Sequence, residues 1–281
     1  MPGTVPHLTL ISGARMPALG MGTWRMGERA RDRGREVAAL RRGLDLGMAL
    51  IDTAEMYADG GAEKIVGEAI AGRRDEVFVV SKVLPSHASR RGVVTACERS
   101  LRRLGSDWID LYLLHWRASI PLAETVAGLE QLRSAGRVRH WGVSNLDRGE
   151  IDAIRALPDG KHCAANQVLY HLSCRGIEWD LLPECRRRRI VVMAYSPFDE
   201  GRLLRDRRLA DLARGVGATA AQLALAWLLA QRAVAVIPKA SDVMHVQDNF
   251  AALDVKLSPA LRTEIDRIFP PPRRATPLAM I

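Results

Sequence analysis

Lysine is nearly missing from this strongly basic chain. All but five of its 41 basic residues are arginine, with lysine only at 64, 82, 161, 239 and 256. Compositional bias would favour arginine at 82 as well, so the lysine there points to a chemical requirement. Cysteine is scarce too, and Cys97, Cys163, Cys174 and Cys185 show no paired short spacing. That excludes a cysteine zinc motif and a disulfide framework, and no metal is expected. No uncharged apolar run reaches the roughly 18 residues a membrane helix needs, and the amino terminus lacks a basic stretch followed by an apolar one. A soluble, cytoplasmic protein without a membrane partner is expected. No G-x-G-x-x-G follows an early strand, which argues against the open dinucleotide-binding sheet.

What is present fits one large core. A chain of 281 residues with 48% hydrophobic content can bury it in a single domain spanning 1–281, and no linker or shift of composition divides it. The formal net charge of +9 does not imply nucleic acid. The arginines are dispersed, and the densest run, Arg186 to Arg189, closes a helix without interleaved aromatics. An anionic cofactor or substrate is partner enough. After a short hairpin over 8–18, strands are predicted at 19–22, 49–52, 77–82, 109–114, 138–143, 163–167, 190–195 and 233–237. Helical patterns lie between them, at Arg35–Leu46, Ala62–Ile70, Arg91–Leu104, Leu122–Ser134, Arg148–Ala156, Ile177–Arg188 and Ala218–Ala230, with a further helix from about Asp242. Glycine commonly follows the last turn, the usual stop signal. Eight strands alternating with helices predict an α/β fold, a (β/α)8 TIM barrel, with a short proline-stiffened tail over 270–281.

Several apolar runs end in a polar residue, and those ends carry the chemistry. Leu50-Ile51-Asp52, Val77 to Lys82 and Ile109 to His115 each terminate this way, and Tyr57 follows Asp52 by five residues. A phenol with an ordinary pKa of about 10 is a poor acid at neutral pH unless a neighbouring cation stabilises its anion. Lys82 can be that cation, Asp52 can hold it charged, and His115 can hydrogen-bond a carbonyl oxygen. Taken singly, Asp52 reads as a cap, Tyr57 as a half-buried aromatic, Lys82 as a solvated strand end and His115 as a core histidine. Their shared placement at strand ends favours one proton-donating site.

The chain resembles the aldo-keto reductases. The resemblance rests on Gly22-Thr23-Trp24, Ile51 to Tyr57, Val80-Ser81-Lys82, Leu113 to Trp116, Gly142 to Asn145, Asn166-Gln167-Val168, Ala194 to Pro197 and Ile237-Pro238-Lys239, in the family's order from about residue 8 to 250. It is nearest the bacterial branch that reduces methylglyoxal and other small aldehydes, through Ala58 to Glu63, Leu169 to Leu172 and Val236 to Ala240. It implies catalysis by Asp52, Tyr57, Lys82 and His115, with Tyr57 as general acid, and NADPH as cofactor. The nicotinamide amide would be held by Ser144, Asn145 and Gln167, with Tyr195 flat against the ring. Gly22, Thr23, Trp24, Asp52, Ser196 and Pro197 complete that end of the implied cofactor site.

Lys239, Ala240 and Ser241 lie between the last strand and a helix amino terminus, a suitable place for the 2′-phosphate of NADP. Asp248 and Asn249 would suit the adenine. Where many family members carry arginine this chain has His245, which is mostly neutral at pH 7 and lacks a bidentate fork, so looser discrimination against NADH is expected. The substrate wall is expected from Trp24, Tyr57, His115 and Trp116, with Met56, Leu84, Tyr170 and the tail beyond Pro270. A short tail favours small carbonyl substrates. A monomer is expected. A non-catalytic NADP-binding redox sensor and a polyol-oxidising dehydrogenase are the competing readings; the complete set Asp52, Tyr57, Lys82 and His115 favours catalysis over the sensor, while the intracellular cofactor ratio decides the direction more than the sequence does.

Overall fold

The computed structural model describes residues 3–281. A two-stranded antiparallel hairpin comes first, β1 (His7–Thr9) with β2 (Arg15–Pro17). Eight parallel strands follow: β3 (Gly20–Gly22), β4 (Leu50–Asp52), β5 (Phe78–Val83), β6 (Ile109–Leu114), β7 (Val138–Ser144), β8 (Cys163–Leu169), β9 (Val191–Tyr195) and β10 (Val234–Val236). Each pairs with the next in sequence. The sheet closes where Leu19 bridges Val236 and Gly22 bridges Lys239. This is the expected barrel, all eight predicted strands being present within two residues of their predicted limits.

Its interior follows from the alternation of side chains along a strand. Leu50, Val80, Leu111, Leu113, Ala165, Met193 and Ala235 fill the lumen, together with Leu10 and Met16 from the hairpin, which plugs the amino-terminal end. The alternate residues Ile51, Val79, Tyr112, Leu114, Trp141 and Val143 face the helical layer. At the other end the inward residues include the polar Asp52, Lys82 and Gln167, all buried, beside the apolar Leu113, Met193 and Ile237.

The helices are α1 (Arg33–Asp45), α2 (Gly61–Ile70), α3 (Arg90–Leu104), α4 (Leu122–Ser134), α5 (Arg148–Ala156), α6 (Leu181–Arg187), α7 (Arg207–Gly215), α8 (Ala220–Leu229), α9 (Val243–Phe250) and α10 (Pro259–Ile268). Two depart from expectation by being absent from it. In α7 an arginine-rich sequence masks a narrow apolar stripe, Leu209 and Ala213 being its buried positions. In α10 the signal was local: Ser258 caps the Leu261 amide and Pro259 starts the helix. The predicted helix Ile177–Arg188 is also corrected. Residues Gly176–Glu178 form a 3-10 turn and the α-helix restarts at Leu181. The restart puts Pro183 in the first turn, where its missing N–H and its ring are tolerated. Among the described residues no single helix is long and apolar enough to cross a membrane.

Candidate active site

Lys82 organises the carboxyl end of the barrel. Its side chain has no solvent exposure, and its ammonium donates to Asp52 Oδ2 at 2.7 Å, the Thr53 carbonyl at 2.9 Å and the Tyr57 hydroxyl at 3.1 Å. Three N–H groups thus meet three acceptors, the condition for keeping a buried ammonium charged. Because the Tyr57 oxygen accepts from Lys82, its own proton is left to donate elsewhere. Burial alone would lower the Lys82 pKa, but the Asp52 charge and the hydrogen bonds to Asp52 and Tyr57 hold it above the usual lysine value. For Tyr57 burial outweighs the nearby ammonium, so the phenol titrates above 10 and carries its proton at neutral pH.

The second oxygen of Asp52 is occupied as well. Gln167 Nε2 donates to Oδ1 at 2.7 Å. Sequence reasoning asks who partners a buried amide at the end of β8; the structure answers with Asp52 for the donor half and leaves the amide oxygen with free capacity. Burial pushes the Asp52 carboxyl up, Lys82 and Gln167 oppose it, and the ion pair with Lys82 is the state the geometry supports.

His115 directly follows β6 and is buried beside the phenol. Its ring lies 5.8 Å from that of Tyr57, centroid to centroid, and 4.9 Å from that of Trp116, while Trp24 packs edge-on to Tyr57 at 4.9 Å. Burial and the Lys82 charge pull the His115 pKa down to about 2. The imidazole is therefore neutral, and its Nδ1 is buried without a hydrogen-bond partner in the chain. A neutral ring between the Trp116 indole and an undissociated phenol can orient a carbonyl oxygen without competing for its charge.

The other nominated residues ring this centre in two groups. Near it, Thr23 Oγ1 donates to the Asp52 carbonyl at 2.9 Å and Ser144 Oγ to the Gln167 carbonyl at 2.9 Å. Asn145, in a left-handed conformation with φ 59, donates through Nδ2 to the His115 carbonyl at 3.3 Å and accepts the Tyr195 hydroxyl through Oδ1 at 2.9 Å. Ser196, also left-handed with φ 50, and Pro197 turn the chain away after β9. Gly22 carries the last β3 bridge, opposite Lys239.

Farther out, Lys239 Nζ donates to Ser241 Oγ at 3.1 Å, just before α9, with the buried Ala240 between them. His245 is exposed on the first turns of that helix. Asn249 is buried, and Asp248 accepts from Gln222 Nε2 at 2.7 Å and Thr219 Oγ1 at 3.3 Å, tying α9 to the cap of α8.

One expected wall residue is not in the wall. Tyr170 is fully buried behind the barrel, its hydroxyl donating to Glu178 Oε1 at 2.7 Å and its ring 5.4 Å from that of Trp227. It is one strand position past Leu169, so its side chain leaves on the helical face. Met56 and Leu84 are half-buried near the site, and the Leu84 amide donates to Glu55 Oε1 at 2.9 Å. The tail borders a groove of about 670 Å³ with the start of α5 and the segment Ser173–Leu181. Sequence reasoning overlooked Glu55, which also takes His87 Nδ1 at 2.9 Å, and Glu63, which is fully buried. The available signal was an acidic residue on the apolar face of a helical pattern, as at Ala62, Glu63, Ile65 and Val66.

Comparison with known proteins identifies the family. Residues 18–269 match the model of the Aldo/keto reductase family. The chain belongs to that family. It is thus an oxidoreductase of carbonyl and alcohol groups. It is 52% identical over 271 residues to methylglyoxal reductase YeaE of Escherichia coli K12, covering 95% of each chain. An aldo-keto reductase from Klebsiella pneumoniae, solved in complex with NADPH, superimposes with a TM-score of 0.95 at 51% identity over the full length of both. The Klebsiella pneumoniae aldo/keto reductase solved with NADP and acetate gives the same TM-score, 0.95, covering 98% of this chain and 99% of that one.

Proposed function

We propose that this family member reduces small aldehydes and ketones, methylglyoxal among them, to alcohols with NADPH, Tyr57 acting as the general acid. The observation that carries the reading is the saturated ammonium of Lys82: it fixes the phenol oxygen, leaves the phenolic proton outward, and stabilises the anion formed when that proton departs. Bound NADPH would supply the hydride. The residues present suit it: Ser144, Asn145 and the free amide oxygen of Gln167 for the carboxamide, Tyr195 for the ring, and Lys239 with Ser241 at the α9 amino terminus for the 2′-phosphate.

On this reading His115 orients the carbonyl oxygen toward Tyr57, and Trp24 and Trp116 exclude water from the reacting carbon. The proton leaves the Tyr57 hydroxyl for that oxygen, and Lys82, anchored by Asp52, bears the compensating charge. The YeaE relationship supports small carbonyl substrates. Tyr57→Phe tests the reading with the least disturbance. With methylglyoxal and NADPH followed by absorbance, turnover should fall by about 10²–10⁴-fold, the usual worth of general acid catalysis. NADPH affinity should stay within a few fold; near wild-type turnover would refute the role.

A further inference from the structure

The proton-transfer set leaves one fully buried carboxylate unused. Glu63, on the inner face of α2, accepts from Ser81 Oγ at 2.6 Å and from Arg103 Nε at 2.5 Å. Ser81 precedes Lys82 on β5, so the two side chains leave that strand on opposite faces, one to the lumen and one to Glu63. Arg103, on α3, donates as well to Ser100 Oγ at 3.2 Å.

The other side of Arg103 supports the tyrosine. A Cβ added at Gly60 would come within 2.4 Å of its Cδ and Nε, so the glycine backbone rests directly on the guanidinium stem. Gly60 ends the short turn Tyr57–Gly60, in which Ala58 (φ 50), Asp59 (φ 49) and Gly60 (φ 83) are all left-handed. Such a sequence of conformations is unfavourable for the two non-glycine residues and persists only where the surroundings impose it. The residue that follows the turn is held too: a Cβ added at Gly27 would lie 2.5 Å from the Gly61 carbonyl carbon, while Gly60 itself rests on Arg103.

We propose that Arg103, fixed by Glu63, is a positioning residue for proton transfer: it carries the left-handed turn that presents Tyr57, while the Glu63–Ser81 bond holds the strand that presents Lys82. One carboxylate thereby sets the register between proton donor and stabilising cation. The proposal rests on the reading of Tyr57 as general acid.

The test compares Arg103→Ala, Arg103→Lys and Tyr57→Phe in the full-length protein, measuring NADPH affinity by fluorescence quenching and kcat and KM with methylglyoxal. In Arg103→Ala, NADPH affinity and KM should hold within a few fold while kcat falls about ten- to a hundredfold, the scale of a misplaced catalytic group. Low concentrations of guanidinium chloride should restore part of that loss by refilling the space beneath Gly60. Arg103→Lys keeps the charge beside Glu63 and should fold, but it lacks the planar group. Its kcat should fall with NADPH affinity unchanged.

Wild-type kcat in the Arg103 variants would overturn the proposal, and so would an Arg103→Ala defect that guanidinium leaves untouched. If Arg103→Ala does not fold, Arg103→Lys decides by the same criterion. Active Tyr57→Phe would instead defeat the general-acid reading itself, whereas inactive Tyr57→Phe beside fully active Arg103 variants would defeat the positioning role alone.

Discussion

A lysine without exposure to water must place three protons inside the protein, and Lys82 places them on Asp52, Thr53 and Tyr57. That requirement explains why arginine, so common elsewhere in this chain, is absent at 82. A planar guanidinium with five donors could not be satisfied by three acceptors converging on one point. His115 shows the cost of the same burial for a group that stays neutral. Its pKa falls from 6.5 in the unfolded chain to about 2 in the fold, so the neutral form is favoured by folding. A depressed pKa contributes stability that is complete above 6.5 and is lost as pH falls toward 2. Each pH unit in that window should cost up to about 1.4 kcal/mol. Urea unfolding at pH 7.5, 6.0 and 5.0 should therefore show a steeper acid loss for the native chain than for His115→Gln. Parallel curves would mean that the imidazole escapes to solvent.

Position 245 is a second residue-scale case. An exposed histidine follows Lys239 and Ser241 into α9. His245→Arg should tighten NADPH binding by up to about tenfold, the lower end for a charge-assisted hydrogen bond at an exposed site, and leave NADH nearly unchanged. Fluorescence titration with both nucleotides reads the difference directly, and equal shifts would show that residue 245 does not meet the 2′-phosphate.

At the scale of elements, most strand positions were legible because buried parallel strands are continuous apolar runs, and the glycine stops of the helices between them are local. Helices α7 and α10 were harder for opposite reasons: α7 hides two buried residues among arginines, while α10 depends on a cap and a proline rather than on a long stripe. The interval 177–188 shows a proline moving a helix start without abolishing the helix.

The foot of β6 carries a charge away from the Lys82 cluster. Asp110 accepts from the Val79 amide at 3.0 Å and Arg74 at 2.6 Å, and Arg74 and Arg139 stack on Trp108 at 4.4 and 4.6 Å. The group lies at the opposite end of β6 from His115. Asp110→Ala should lower unfolding free energy by about 1–3 kcal/mol, because it takes the side-chain acceptor from the buried Val79 amide and the counter-charge from Arg74, which keeps its bonds to Ser106, Val77 and Trp108. Denaturant titration with a parallel activity assay checks both halves: stability falls while kcat stays near wild type.

At the scale of the whole molecule the barrel has two unlike ends. The hairpin closes one with Leu10 and Met16, and polar side chains occupy the other. Met16 has no solvent exposure, so Met16→Ala should cost about 2–5 kcal/mol through lost burial and a cavity at the foot of the lumen. Thermal unfolding measures the loss, and the KM for NADPH should not move, since the catalytic end is several side-chain layers away.

Sequence alone determined the alternation of strand and helix, the polar residue at several strand ends and the family-wide order of motifs. These are local patterns of burial, and they do not depend on which strands become neighbours. Only the tertiary structure decided that Gln167 spends its donor on Asp52, that Tyr170 faces the helices, and that Glu63 joins the Lys82 strand to the Tyr57 turn through Arg103. The physical reason is closure. Residues 52 and 167 are separated by 115 positions along the chain, and they meet because a closed barrel brings the carboxyl ends of its strands into one ring.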